Sequence, residues 1–64
     1  MRSCGIDIAS LSSFVYIADE HGEKKLGRFV KTTKAELWTA LKPYLKGGLK
    51  IAIEAGNQTA WIYE

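Results

Sequence analysis

The 64 residues are one small domain or a piece of one. A chain of this length buries only about 60% of its unfolded surface, so its core is marginal. An apolar fraction of 47% excludes a disordered chain, and a single cysteine excludes an internal disulfide framework. The net charge of +2 permits a nucleic-acid partner without demanding one. Since no signal peptide or membrane-spanning run is recognisable, we expect a cytoplasmic protein that has no membrane partner.

The first predicted strand, residues 2–9, carries an aspartate in the middle of an apolar run. Alternation along the strand places Cys4, Ile6 and Ile8 on one face and Asp7 on the other, among small residues. Desolvating an unpaired charge in a buried strand is costly, so an aspartate between two isoleucines requires an explanation. We therefore take Asp7 as the first candidate functional residue.

Two further strands are predicted at residues 14–18 and 25–31, where β-branched and aromatic residues cluster. The polar segment between them contains Gly22, which is free to adopt positive φ in a turn. The first three strands should therefore form an antiparallel meander.

A helix is predicted over residues 34–46. Thr33 and Glu36 have the spacing of a capping box, and apolar residues recur after them at helical intervals. Pro43 predicts a kink or a fresh turn inside this pattern, and the pair Gly47-Gly48 should end the helix.

The fourth predicted strand, residues 49–54, repeats the pattern of the first. Its apolar residues alternate with Ala52 and Glu54, so this strand too ends in a carboxylate beside a small residue. Asn57 then predicts the cap of a second helix that begins at residue 58.

The element order β-β-β-α-β predicts an α/β fold with one mixed sheet. A helix that links the third and fourth strands by a right-handed crossover makes them parallel, and we expect the sheet order 3-2-1-4. The helix should cover the face that carries the isoleucines.

With the fourth strand beside the first, Asp7 and Glu54 become neighbours, and a divalent cation such as Mg²⁺ would relieve their repulsion. Carboxylate-held metal ions are the usual device for cleaving phosphodiesters.

Residues 5–10 (Gly-Ile-Asp-Ile-Ala-Ser) and 53–56 (Ile-Glu-Ala-Gly) resemble the start of the DEDD transposases. This insertion-sequence family is related to the pilin-gene-inverting recombinases, and the resemblance spans essentially the whole chain. It implies a ribonuclease H-like (RuvC-like) fold and DNA strand cleavage and joining in transposition. It also implies that Asp7 and Glu54 are catalytic residues that bind Mg²⁺ or Mn²⁺.

The same family requires two further aspartates well downstream, and neither is present in this chain. We therefore expect residues 1–64 to be an N-terminal fragment of the catalytic domain that binds metal weakly and has no nuclease activity. The resemblance implies DNA as the partner, a separate C-terminal domain with a serine, and in some members a guide RNA.

The expected fragment should also self-associate as a homodimer. Its fourth strand would be an unpaired edge, and edges are templates for pairing with a second chain. Uncovered apolar surface on the second strand and on the Gly5/Ala52 face adds to this tendency.

Two other classes stay open. Residues 5–8 also resemble the first phosphate loop of actin-like sugar kinases, which usually continue with Gly-Thr where this chain has Ala9 and Ser10. The third class is a non-catalytic interaction module, in which Asp7 binds a backbone amide and Glu54 is a solvated residue at a strand end.

Overall fold

The computed structural model describes residues 1–56 and the backbone of residues 58–63. These residues form a small mixed α/β domain in which one helix packs on one face of a mixed sheet. The elements are β1 (Arg2–Asp7), β2 (Ser12–Ala18), β3 (Lys24–Lys31), α1 (Lys34–Leu41), a 3₁₀ turn (Lys42–Tyr44), β4 (Leu49–Ala55) and β5 (Gln58–Tyr63).

The first four strands have the predicted order. β1, β2 and β3 form an antiparallel meander, and β4 lies parallel to β1 on its other side. With β5 added, the sheet order is β3-β2-β1-β4-β5. The predicted order 3-2-1-4 is therefore confirmed.

The chain after β4 is a strand, so the predicted second helix is wrong. β5 pairs antiparallel with β4, from Lys50 opposite Tyr63 to Ala55 opposite Gln58. Gly56 has a φ of 65°, a conformation that favours glycine and suits the tight turn of a hairpin. Asn57, the predicted helix cap, lies outside the described residues.

This hairpin also corrects the expectation that the fourth strand is an edge. β4 lies between β1 and β5, and the outermost strands are β3 and β5. The edge argument for a homodimer therefore fails at β4, and self-association through the uncovered apolar surface stays a prediction.

The core lies between α1 and the face of the sheet that carries the isoleucines, as predicted. Alternate residues of the four predicted strands point into this core. The alternation of apolar residues in the sequence therefore places them together in one buried layer. Its buried members are Cys4, Ile6, Val15, Ile17, Val30, Ala40, Leu41, Leu49 and Ile51.

The helix is shorter than predicted because of its proline. α1 ends at Leu41, and the chain continues as the 3₁₀ turn that contains Pro43, which is the fresh turn expected there. At the other end the Thr33 hydroxyl accepts a hydrogen bond from the Glu36 amide at 3.1 Å, as the capping pattern predicts. Gly47, with a φ of 88°, follows the turn and redirects the chain toward β4.

A buried polar contact fixes the loop after β1. Thr32 Oγ1 donates to the carbonyl oxygen of Ala9 at 2.6 Å, and the fully buried Ser13 hydroxyl lies 2.7 Å from the same Oγ1. Since the Thr32 proton is already donated to Ala9, Ser13 is the donor to Thr32. The Thr32 amide also donates to the Leu11 carbonyl. These contacts tie the loop after β1 to the residue that follows β3. β1 ends at Asp7, two residues before the predicted end.

The helix cap gives a first prediction. Replacing Thr33→Ala should lower the free energy of unfolding by about 1 kcal/mol, because the Glu36 amide loses its acceptor. The matched control is Thr39→Ala in the exposed part of α1, which should be neutral or slightly stabilising. Urea denaturation followed by circular dichroism measures both, and equal effects of the two substitutions would contradict the assigned cap.

A second prediction concerns the buried thiol. Burial raises the pKa of Cys4 from its ordinary value of 9.0 to about 11. Between these two pH values the unfolded chain releases the thiol proton and the folded chain keeps it, so stability falls as the pH rises.

The measurement is the difference in unfolding free energy between the wild type and Cys4→Ala, which cancels the titration of other groups. Between pH 9 and pH 11 the unfolding free energy of the wild type should fall, relative to that of Cys4→Ala, by on the order of 2 kcal/mol. A difference that stays constant with pH would show that the thiol is not desolvated.

Candidate functional site

Asp7 and Glu54 lie opposite each other at the ends of two central parallel strands. The β1–β4 register runs from Arg2 opposite Leu49 to Asp7 opposite Glu54. Neighbouring strands are about 4.8 Å apart, and paired residues of parallel strands point to the same face of the sheet. The structure therefore brings together the two carboxylates that the sequence singles out, while their role as metal ligands stays a prediction.

The backbone around this pair is held rigidly although both side chains are exposed. The Ile8 amide donates to the Glu54 carbonyl oxygen at 2.9 Å, so the ladder continues beyond the two carboxylates. Ile6, which precedes Asp7, is buried on the opposite face. The strands thus fix the two Cα atoms, and the side chains are free to rotate toward a ligand.

Small residues leave room beside the carboxylates, as predicted. A shallow depression of about 210 Å³ lies over this part of the sheet. A Cβ placed on Gly5 would meet no atom within 4 Å. The depression is lined by Gly5, Ile6, Asp7, Phe14, Tyr16, Ala52 and Glu54. It offers open space for a hydrated cation next to two oxygen ligands.

The two carboxylates have no cation beside them in the part of the chain that is described. None of the ion pairs formed by residues 1–56 involves Asp7 or Glu54. Like charges placed directly opposite each other in a sheet are destabilising. A cation bound between the two carboxylates would relieve any repulsion between them.

The opposite end of the sheet shows a different arrangement of charge. There the amino group of Met1 lies 3.1 Å from Glu20, and Lys25 lies 3.7 Å from Asp19. Hydrogen bonds from the Glu23 and His21 amides, together with Lys25, lower the pKa of Asp19 below its ordinary value. Carboxylates at this end are matched by donors and cations, in contrast to Asp7 and Glu54.

The carboxylate pair alone would make an incomplete metal site. Among residues 1–56 there is no group of three histidine, cysteine, aspartate or glutamate side chains that could hold an ion. Oxygen ligands suit Mg²⁺, which usually keeps several waters and takes only one or two protein carboxylates. The pair therefore fits a weakly held, hydrated divalent cation.

Aromatic residues next to the pair belong to the same open face. Phe14 is opposite Asp7 in the β1–β2 ladder and opposite Phe29 in the β2–β3 ladder. The two phenyl rings are 5.0 Å apart and meet at 68°, edge to face. Phe29 is not among the candidate residues predicted from the sequence, although the register of the predicted meander would have placed it beside Phe14.

Comparison of the chain with protein-family models, with curated proteins and with solved structures gives no match. In the described residues no helix has the length and apolar character needed to cross a membrane. The function is therefore argued from the geometry of the carboxylate pair and its surroundings.

The repulsion within the pair gives a third prediction. Without metal, Asp7→Asn and Glu54→Gln should each raise the free energy of unfolding by roughly 0.2–1 kcal/mol, because one of two opposed charges is removed. Added Mg²⁺ or Mn²⁺ should raise the melting temperature of the wild type and not of either variant, since a ligand stabilises only the form that binds it.

The matched control is Glu36→Gln, which removes an exposed negative charge on α1, away from the pair. It should leave the metal response of the wild type intact. A metal-induced rise in melting temperature that is the same in the wild type and in Asp7→Asn would place the cation elsewhere.

Proposed function

We propose that this chain is the N-terminal part of a ribonuclease H-like catalytic domain, from a DEDD-type transposase or recombinase that cleaves and joins DNA strands. Asp7 and Glu54 supply the first two oxygen ligands for Mg²⁺ or Mn²⁺. The observation that supports this most is the parallel register, which pairs Asp7 with Glu54. No ion pair among residues 1–56 involves either carboxylate.

The residues of the chain have separate parts in this proposal. Asp7 and Glu54 each offer carboxylate oxygens, and the Ile8–Glu54 backbone bond holds the two strands at the point where they do so. Gly5 and Ala52 keep the adjoining surface low, so that a DNA strand can approach. A divalent cation held here would neutralise charge on a scissile phosphate and activate a water molecule.

Full activity requires more than the two carboxylates. The resemblance implies two further aspartates, and the described part of this chain places no third acidic ligand beside the pair. In this proposal the remaining ligands are supplied by residues outside 1–64. The chain by itself should therefore bind Mg²⁺ or Mn²⁺ weakly and leave DNA intact.

One element departs from the resemblance that motivates the proposal. The family implies a helix start after the fourth strand, whereas this chain has the antiparallel strand β5. The proposal consequently relies on the first four strands, the crossover helix and the carboxylate pair. It does not draw on anything after Gly56.

The fourth prediction tests whether a metal ion and a DNA strand bind together at the carboxylate pair. It does not require the two further aspartates that the family implies. Fe²⁺ accepts oxygen ligands, and in peroxide and ascorbate it produces hydroxyl radicals that cut any DNA held beside it. With Fe²⁺ bound at the pair, the wild type should cut a labelled DNA strand at a confined position. Asp7→Asn and Glu54→Gln should lose this cutting, and excess Mg²⁺ should suppress it by competition.

Glu36→Gln serves again as the matched control and should cut as the wild type does. With Mg²⁺ and no peroxide, every form of the chain should leave the DNA intact. Cutting that persists in Asp7→Asn would contradict the proposal. If the chain instead binds ATP in the presence of Mg²⁺ and without Fe²⁺, and if this binding is lost in Asp7→Asn, the kinase-like class is favoured.

A further inference from the structure

The face of the sheet opposite α1 carries exposed aromatic rings. On β2, Phe14 and Tyr16 alternate with the fully buried Val15 and Ile17. The Phe29 side chain is 72% exposed and Tyr16 is 40% exposed. Exposed rings gathered on one sheet face are costly in water, so this aromatic face, formed by Phe14, Tyr16 and Phe29, suggests a ligand.

Glycines flatten the surface around Tyr16. In the two ladders of β2, Tyr16 is opposite Gly5 on one side and Gly27 on the other. Tyr16 and Phe14 are two residues apart on one strand, hence about 7 Å apart along it. The Tyr16 ring is thus separated along the strand from the paired rings of Phe14 and Phe29, an arrangement that suits flat ligands that stack one after another.

Two lysines frame the same face. By strand alternation Lys31 shares a face with Phe29. The Lys24 side chain lies across Gly27, where its Cε and the Tyr16 ring are both within 4 Å of the position that a Cβ would occupy. Neither lysine has an ion-pair partner among residues 1–56. Their charges are thus available to an anionic ligand that also has flat apolar groups.

We propose that the aromatic face binds unpaired single-stranded DNA. The bases stack on Phe29 and Tyr16, and the ammonium groups of Lys24 and Lys31 contact the phosphates. Aromatic side chains on an open sheet are a recurring means of stacking two or three bases, and positive charge beside them follows the backbone. Duplex DNA does not fit this face, because its bases already stack on each other.

The position of the aromatic face explains how a bound strand would reach the carboxylates. Phe14 is the direct neighbour of Asp7 across the β1–β2 ladder, about 4.8 Å away, and Glu54 is one strand further. A strand stacked on the rings thus passes its backbone close to the pair. This last step and the choice of DNA over RNA rest on the proposed function, whereas the stacking itself does not.

The experiment measures fluorescence anisotropy of a labelled oligothymidine of about ten nucleotides, in EDTA so that no metal takes part. Phe29→Leu should weaken binding roughly tenfold, because it keeps an apolar side chain and removes the ring. Phe29→Tyr should retain the affinity. Trp38→Leu, which removes a half-exposed ring from the opposite side of the domain, should have no effect.

The lysines are tested through salt dependence. Lys24→Gln and Lys31→Gln should each reduce the slope of log affinity against log salt by roughly 0.7, and the exposed Lys42→Gln should not. The melting temperature of each variant establishes that it is folded. A DNA duplex of the same length should bind more weakly, because its bases already stack on each other.

The results separate this inference from the proposed function. Loss of binding in Phe29→Leu with retention in Asp7→Asn supports the stacking face, even where the Fe²⁺ experiment fails. The inference is overturned if Phe29→Leu and Phe29→Tyr bind alike, or if duplex DNA binds as tightly as the single strand. A stable dimer that Phe29→Leu dissociates, with no DNA bound, also overturns it.

Discussion

The parallel ladder between β1 and β4 is the contact on which the rest of the structure depends. It joins the meander to the segment after the helix, and α1 supplies the crossover that parallel strands require. Its register is fixed by the core, because a slip of one residue would turn Ile51 out of the core and Glu54 into it. The alignment of Asp7 with Glu54 therefore follows from hydrophobic packing and needs no contact of its own.

Most of this arrangement can be read from the sequence because its signals are local and agree with one another. Alternation defines the faces of β1, β2 and β4, the Thr33 cap begins α1, and Pro43 ends it. Handedness of the crossover then leaves few topologies to consider. The carboxylate pair is predictable for the same reason, since it needs only the correct strand order and the correct faces.

The elements that the sequence analysis gets wrong depend on contacts between distant residues. Asparagine favours both helix caps and turns, and a Gly-Asn pair between two runs rich in β-branched and aromatic residues also signals a two-residue hairpin. Pairing with β4 decides in favour of the strand β5. The loop after β1, where the strand ends earlier than predicted, is likewise held by a bond between residues that are far apart in the chain, from Thr32 to Ala9.

The two faces of the sheet meet different physical demands. One face is buried under α1 and holds the domain together, and on it polar groups such as Ser13 are satisfied internally. The other face carries an opposed pair of carboxylates, exposed phenyl and phenol rings, and two lysines, Lys24 and Lys31, that form no ion pair within residues 1–56. Each of these features lowers the stability of a domain whose small size already makes it marginally stable. None of them is needed by the core. Features that the core does not need are expected at a functional site. The proposed ligands, a nucleic-acid strand and a divalent cation, would complement the charge, the rings and the open space of this face.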